Sequence, residues 1–247
     1  MRFPAEFSDL LTAKGRRILS GREPASSSTE LPQRFIAVAG AIDHKRAQTC
    51  RDLLDTKLLA ALSPLEAPIP PETITAMDRN YEEWLPKTAR VHTAYLERKR
   101  TRAFAICENL GLVQMLQSQS FAAFATALAG RALQPRWGMQ VLCYRPGDYA
   151  GPHNDHHPEE AAAIDGYLDV HITLATRAVA HQWLVYAKRG HFSEMHDVNT
   201  LGGITAYRLP FWHYTTPLVA RAHVTAEARR WVLLGTFLYR DTHKNKS

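Results

Sequence analysis

The chain is poor in cysteine. Only Cys50, Cys107 and Cys143 occur among 247 residues, and none belongs to a CxxC pair. That excludes a zinc ribbon and a disulfide framework, and an odd, sparse count fits a reducing, cytoplasmic setting. Long apolar runs are also lacking: no stretch reaches the roughly 18 residues that a membrane helix needs. The N-terminal region has no extended apolar core of the signal-peptide kind, so secretion is not expected. No internal repeat is present, which excludes a solenoid or propeller. Core-forming residues, by contrast, are plentiful. Hydrophobic residues make up 45% of the chain, with 5 Trp, 9 Tyr and 9 Phe. That supports a single domain with a helical extension and excludes disorder of the whole.

Positive charge is in modest excess, 30 Lys and Arg against 24 Asp and Glu. Part of it is local: Lys14, Arg16 and Arg17 form one group, and Arg98, Lys99, Arg100 and Arg102 another. Such runs usually serve as solvated helix faces, and a nucleic-acid partner is not expected.

Residues 1–33 read as a flexible arm, anchored by Leu10, Leu11, Ile18 and Leu19, with a linker from Pro24 to Thr29. Residues 34–130 read as a strand and supporting helices. The apolar run Phe35 to Ala39 predicts the strand, and Asp43 can cap the helix after it. In that helix Ala47, Cys50, Leu54, Leu58 and Ala61 recur at steps of three and four, and Ser63-Pro64 ends it. Pro68 to Pro71 is a spacer. Polar helices are predicted around 72–85 and 87–110, and an amphipathic helix over 113–129 is stopped by Gly130.

From 131 to 247 the texture changes to short alternating segments. Strands are predicted at Met139–Tyr144, Tyr167–Ala175, Gln182–Tyr186, Ile204–Tyr207, His213–Leu218 and Arg230–Leu238. Helices followed by many short strands imply an α+β fold, with a β-sandwich or barrel covered by helices on one face. In the strand from Tyr167, residues Leu168, Val170, Ile172 and Leu174 point to one side. Tyr167, Asp169, His171 and Thr173 point to the other, toward solvent or a polar cavity.

The segment Tyr144-Arg145-Pro146-Gly147 leads into His153-Asn154-Asp155. On an extended chain His153 and Asp155 share a side and can bind one ion. A second histidine from a distant strand would complete three ligands on one face of an octahedron. His171, His181, His191, His196 and His223 are candidates, but His213 is preferred because it starts a strand-like segment well downstream. Two imidazoles and one carboxylate would leave Fe(II) three exchangeable positions, enough for a chelating co-substrate and dioxygen. The apolar strand after it opens with Arg229-Arg230. A buried arginine needs an anionic partner, and its planar fork suits a carboxylate.

At these residues the sequence resembles the 2-oxoglutarate/Fe(II) dioxygenase superfamily, nearest to its prolyl-4-hydroxylase-like branch. The resemblance covers about 139–239 and extends more weakly to 35–62. It implies a double-stranded β-helix, or jelly roll, with N-terminal supporting helices. His153, Asp155 and His213 would bind Fe(II), Arg230 would pair with the distal carboxylate of 2-oxoglutarate, and Tyr144 would hydrogen-bond that co-substrate. The implied activity is oxygenation by dioxygen, most simply hydroxylation of a small molecule or amino-acid side chain, with release of succinate and CO2. The gap from His213 to Arg230 is longer than is usual in that branch, so Arg221 and Arg229 are alternatives to Arg230. Two other readings remain: a cupin-like metal enzyme that does not use 2-oxoglutarate, and a non-catalytic binder of an anionic polymer.

Overall fold

The chain's alternating half folds as one curled antiparallel sheet, and its helical half packs against the outside. The computed structural model describes residues 1–24, 34–67, 88–155, 166–210 and 212–240. In chain order the elements are α1 (Ala13–Leu19), β1 (Phe35–Val38), α2 (His44–Lys57), β2 (Ser63–Ala67) and β3 (Ala89–Tyr95). Next come α3 (Arg102–Asn109), α4 (Leu112–Gln117), α5 (Gln119–Ala129), β4 (Leu133–Tyr144), β5 (Tyr149–His153) and β6 (Tyr167–Ala175). The remainder is β7 (Val179–His181), β8 (Trp183–Lys188), β9 (His191–Asp197), β10 (Gly203–Leu209), β11 (His213–Thr215), β12 (Val219–Ala220) and β13 (Arg230–Tyr239).

The main sheet runs in the order β1-β10-β6-β13-β4-β3-β5-β11-β8-β9, with β2 added on β3. One half, from β1 to β3, carries the helices. The other, from β5 to β9, folds over it. β3 joins them: Ala89 and Arg90 pair with β5, whereas His92 to Tyr95 pair with β4. This is a double-stranded β-helix. β12 and β7 form a separate two-stranded ribbon. β12 and a 3-10 turn at Thr225–Glu227 occupy part of the long span between His213 and Arg230.

The period-two pattern of β6 decides what each face does. Leu168, Val170, Ile172 and Leu174 are buried in the main core with Phe121, Phe124 and Leu128 of α5. Tyr167, Asp169 and His171 face the interior between the two halves and line a cavity. Gly235 of β13 lets α5 sit close, since a side-chain carbon there would meet the Phe121 ring.

Three expectations need correction. The helix predicted over 87–110 is a strand, β3, then a turn and α3. Val91 and Thr93 carry a two-residue period that the following charged run obscures, and Thr101 caps α3 by accepting from the Phe104 amide at 3.1 Å. The helix predicted over 113–129 is two helices broken at Ser118, whose hydroxyl accepts from the Phe121 amide at 3.2 Å. Finally, residues 1–24 are not a loosely held arm. Phe3, Phe7, Leu10, Leu11 and Ile18 are buried in the main core, and the Phe7 ring packs edge-on against Phe121 and Phe124. Lys14, Arg16 and Arg17 bond locally, to the Ala39 and Leu11 carbonyls and to Glu23. The predicted helix at 72–85 and most of the predicted linker lie outside the described residues. Asp43 does cap α2, accepting from the Arg46 amide at 3.0 Å. No helix among the described residues is long and apolar enough to cross a membrane.

Candidate metal centre

The turn that feeds the site follows from Pro146 and Gly147. Proline presets the first central position, and Gly147 takes the positive φ of 82° that the second requires. The Asp148 amide closes the turn onto the Arg145 carbonyl at 2.9 Å. The Asp148 carboxylate then accepts from the Arg145 amide at 2.9 Å and pairs with Arg90 at 3.2 Å. β5 leaves this fixed corner and delivers His153 at its end.

His153 and His213 are cross-strand partners on β5 and β11. Their rings are 4.3 Å apart, centre to centre. Asp155 follows β5 in a left-handed conformation, φ 49°, which aspartate tolerates better than most residues. Its backbone carbonyl accepts from the Tyr167 hydroxyl, so β6 helps to hold the turn. The carboxylate oxygen Oδ2 lies 3.3 Å from His153 Nε2 and 3.7 Å from His213 Nε2. One donor atom from each of the three residues lies within 4.8 Å of the other two, the one such group of His, Cys, Asp or Glu among the described residues. His153 Nδ1 contacts the Gly151 carbonyl at 2.5 Å. That contact protonates Nδ1 and leaves Nε2 as the donor atom facing the group. Two neutral imidazoles and a carboxylate suit a divalent transition metal with open positions.

The group lines a cavity of about 350 Å³ between the two halves of the sheet. Arg230 opens β13 at a different level of it. The residue is 1% exposed. Its guanidinium donates from Nη1 to Gln182 Oε1 at 2.7 Å, and its carbon sits 4.9 Å from the centre of the Tyr144 ring. Tyr144 is also its cross-strand partner. Its Nε has no hydrogen-bond partner, and no described carboxylate forms an ion pair with it. Burial lowers its pKa, although the tyrosine and Asp197 neighbours oppose the shift. A buried cation in this state favours the approach of an anion.

The two alternative arginines do not reach the cavity. Arg229 bonds Asp55 at 3.0 Å on the helix-covered side, beside the Trp231 indole, and Arg221 is exposed. Of the other candidate histidines, His171 lines the cavity without joining the metal group. Gln182 was missed from the sequence. It is fully buried, and its amide donates to the Asp148 and Thr216 carbonyls at 3.2 and 3.0 Å while its oxygen holds Arg230. Nothing in a single glutamine at the head of a strand marks such a bridge.

Three cysteines play no part. Burial pushes the Cys50, Cys107 and Cys143 thiols up to about 12, so they remain protonated.

No protein-family model matches the chain, and no curated protein matches it in sequence. Solved structures do match in fold. The non-heme alpha ketoglutarate dependent epimerase SnoN from nogalamycin biosynthesis aligns over 94% of this chain and 88% of its own, with TM-score 0.51 and 13% identity. The same epimerase in complex with Fe3+, alpha ketoglutarate and nogalamycin RO aligns equally well, with TM-score 0.51. A Pseudomonas putida prolyl-4-hydroxylase aligns over 84% of this chain and 93% of its own, at 14% identity and TM-score 0.45. At such identity the first two establish the shared fold.

Proposed function

We propose that this chain is a 2-oxoglutarate/Fe(II)-dependent oxygenase, with His153, Asp155 and His213 as the metal ligands and Arg230 as the anchor for the distal carboxylate of 2-oxoglutarate. One observation carries the reading: a three-residue metal group and a buried arginine without an acidic partner line the same cavity. The shared fold with an epimerase solved with Fe3+ and alpha ketoglutarate supports it.

Iron(II) and 2-oxoglutarate bound there would supply dioxygen activation and the oxidising power needed to attack a C–H bond, leaving succinate and CO2. The chain's own residues bind and orient. The imidazole rings of His153 and His213 are fixed by strand pairing, and Asp155 by its turn, so little reorganisation accompanies metal binding. Arg230 offers its planar fork to a carboxylate, with Tyr144 beneath it and Gln182 beside it. Leu142, Val232 and Leu184 give the cavity an apolar part to its lining. The substrate is a small molecule or an amino-acid side chain, and the outcome is hydroxylation or a related oxidation.

Incubation with iron(II), ascorbate and 2-oxoglutarate tests this. Iron-dependent succinate formation, abolished in Asp155→Ala and strongly reduced in Arg230→Ala, is the expected result. A metal enzyme of the cupin kind would bind metal at the same group yet form no succinate and be indifferent to Arg230→Ala. That outcome would overturn the co-substrate while leaving the metal site.

A further inference from the structure

Two residues that line this cavity each carry a buried, unsatisfied polar atom: Arg230 its Nε and His171 its Nε2. Buried polar atoms are satisfied in nearly all native proteins, so each one left over needs a reason. Arg230 has one in the reading above. His171 has none.

His171 lies on β6, opposite Leu234 of β13 and Thr205 of β10. Its ring packs on Tyr207 at 4.3 Å, and Tyr207 packs in turn on His213 at 5.1 Å. The imidazole thus lines the cavity that the guanidinium and the metal group also line, one ring away from His213. Burial, aided by the Arg230 charge, pushes its pKa down to about 3, so the ring is neutral. A neutral imidazole has one N–H donor and one acceptor. A carboxylate has about four lone-pair sites, and an arginine fork fills at most two of them. A neutral donor adds to that pairing without placing a second cation beside the first.

We infer that His171 is a second anchor for the acid held at Arg230, donating its Nε2–H to the same carboxylate. The inference rests on the 2-oxoglutarate reading. It makes His171 a positioning residue that selects 2-oxo acids ending in a carboxylate.

The test is calorimetric titration of the full chain loaded with Mn(II), using 2-oxoglutarate and 2-oxopentanoate, which has the same length but lacks the distal carboxylate. Metal stoichiometry and a thermal melt establish that each variant is folded. His171→Phe should weaken 2-oxoglutarate about tenfold or more, the loss expected of a hydrogen bond to a charged group, and leave 2-oxopentanoate within about twofold. His171→Gln, which keeps an N–H donor, should recover most of the loss. His171→Leu substitutes if the phenylalanine variant does not fold. Unchanged 2-oxoglutarate affinity, equal weakening of both acids, or no rescue by glutamine would overturn the inference and leave the ring as packing. If Arg230→Ala removes the preference for 2-oxoglutarate while His171→Phe retains it, only the His171 inference fails. If the unmodified protein binds neither acid, the co-substrate reading fails with it.

Discussion

Arg230 is a full charge, 1% exposed, held by a glutamine oxygen and an aromatic ring. Its worth to the fold without ligand is small, because desolvation opposes what those contacts contribute. Arg230→Met should therefore change the stability of the ligand-free protein by no more than about 2 kcal/mol. With metal present, 2-oxoglutarate at about a hundred times its Kd should raise the melting temperature by on the order of 5 °C, and the variant should lose that rise. A variant that melts far lower without ligand would show that Arg230 serves the fold. His171 gives a pH prediction. Its pKa is about 3 in the folded chain, against 6.5 ordinarily. Between those values the unfolded chain takes up a proton that the folded chain refuses. The contribution is complete above about pH 6.5 and is lost as pH falls toward 3, by at most about 1.4 kcal/mol per unit. His171→Gln removes this loss, so urea midpoints should move in the variant's favour between about pH 7 and pH 5. Parallel midpoints would contradict the burial of a neutral imidazole. At this scale the sequence was informative where residue types carry specific chemistry. His153, Asp155 and His213, which the structure brings together, could be singled out by spacing and strand order, whereas the choice of Arg230 over its neighbours leaned on the family resemblance. The roles of Gln182 and of the Tyr167 hydroxyl could not, since both act by hydrogen bonds to groups distant in the chain.

Among the elements, the helical layer is held by caps and by the N-terminal segment. The Ser118 hydroxyl accepts from two buried amides, those of Phe121 and Phe7, each at 3.2 Å. Ser118→Ala leaves both without that partner, and a loss of about 1–3 kcal/mol is expected in chemical denaturation, with metal stoichiometry unchanged. A loss below about 0.5 kcal/mol, the usual size for a surface change, would contradict this. Phe7→Ala should cost about 3–5 kcal/mol, because its ring fills a gap between Phe121 and Phe124 that the helices cannot close. Were residues 1–24 a loose arm, the substitution would cost almost nothing. β4, β6, β8, β10, β11 and β13 were legible, most clearly β6, whose one face is buried in the main core and whose other lines the cavity. β5, β7, β9 and β12 were not, being short or, in β9, largely exposed. Nor was β3, since only Val91 and Thr93 signal it before a charged turn. Ser118 reads as one more small residue in a helix until its role as a cap is seen. The N-terminal segment was misread because its apolar residues, Phe3, Phe7, Leu10 and Leu11, are spaced irregularly and gain meaning only against α5.

The whole molecule is a curled sheet whose outer face is covered by helices along one half and whose inner face lines a cavity of mixed apolar and polar residues. The metal group joins β5 to β11 in one half, and Arg230 projects from β13 in the other. Neither half holds the site alone; closing the sheet creates it. That long-range pairing is why composition and local pattern pointed to the fold class but not to the cavity's dimensions or its substrate. The most direct test is an anaerobic crystal structure of the protein with Fe(II) and 2-oxoglutarate. The ion should sit on Nε2 of His153, Nε2 of His213 and one oxygen of Asp155, with the acid chelating it and its distal carboxylate against Arg230 and His171. An ion held by other residues, or an acid bound away from Arg230, would contradict the account.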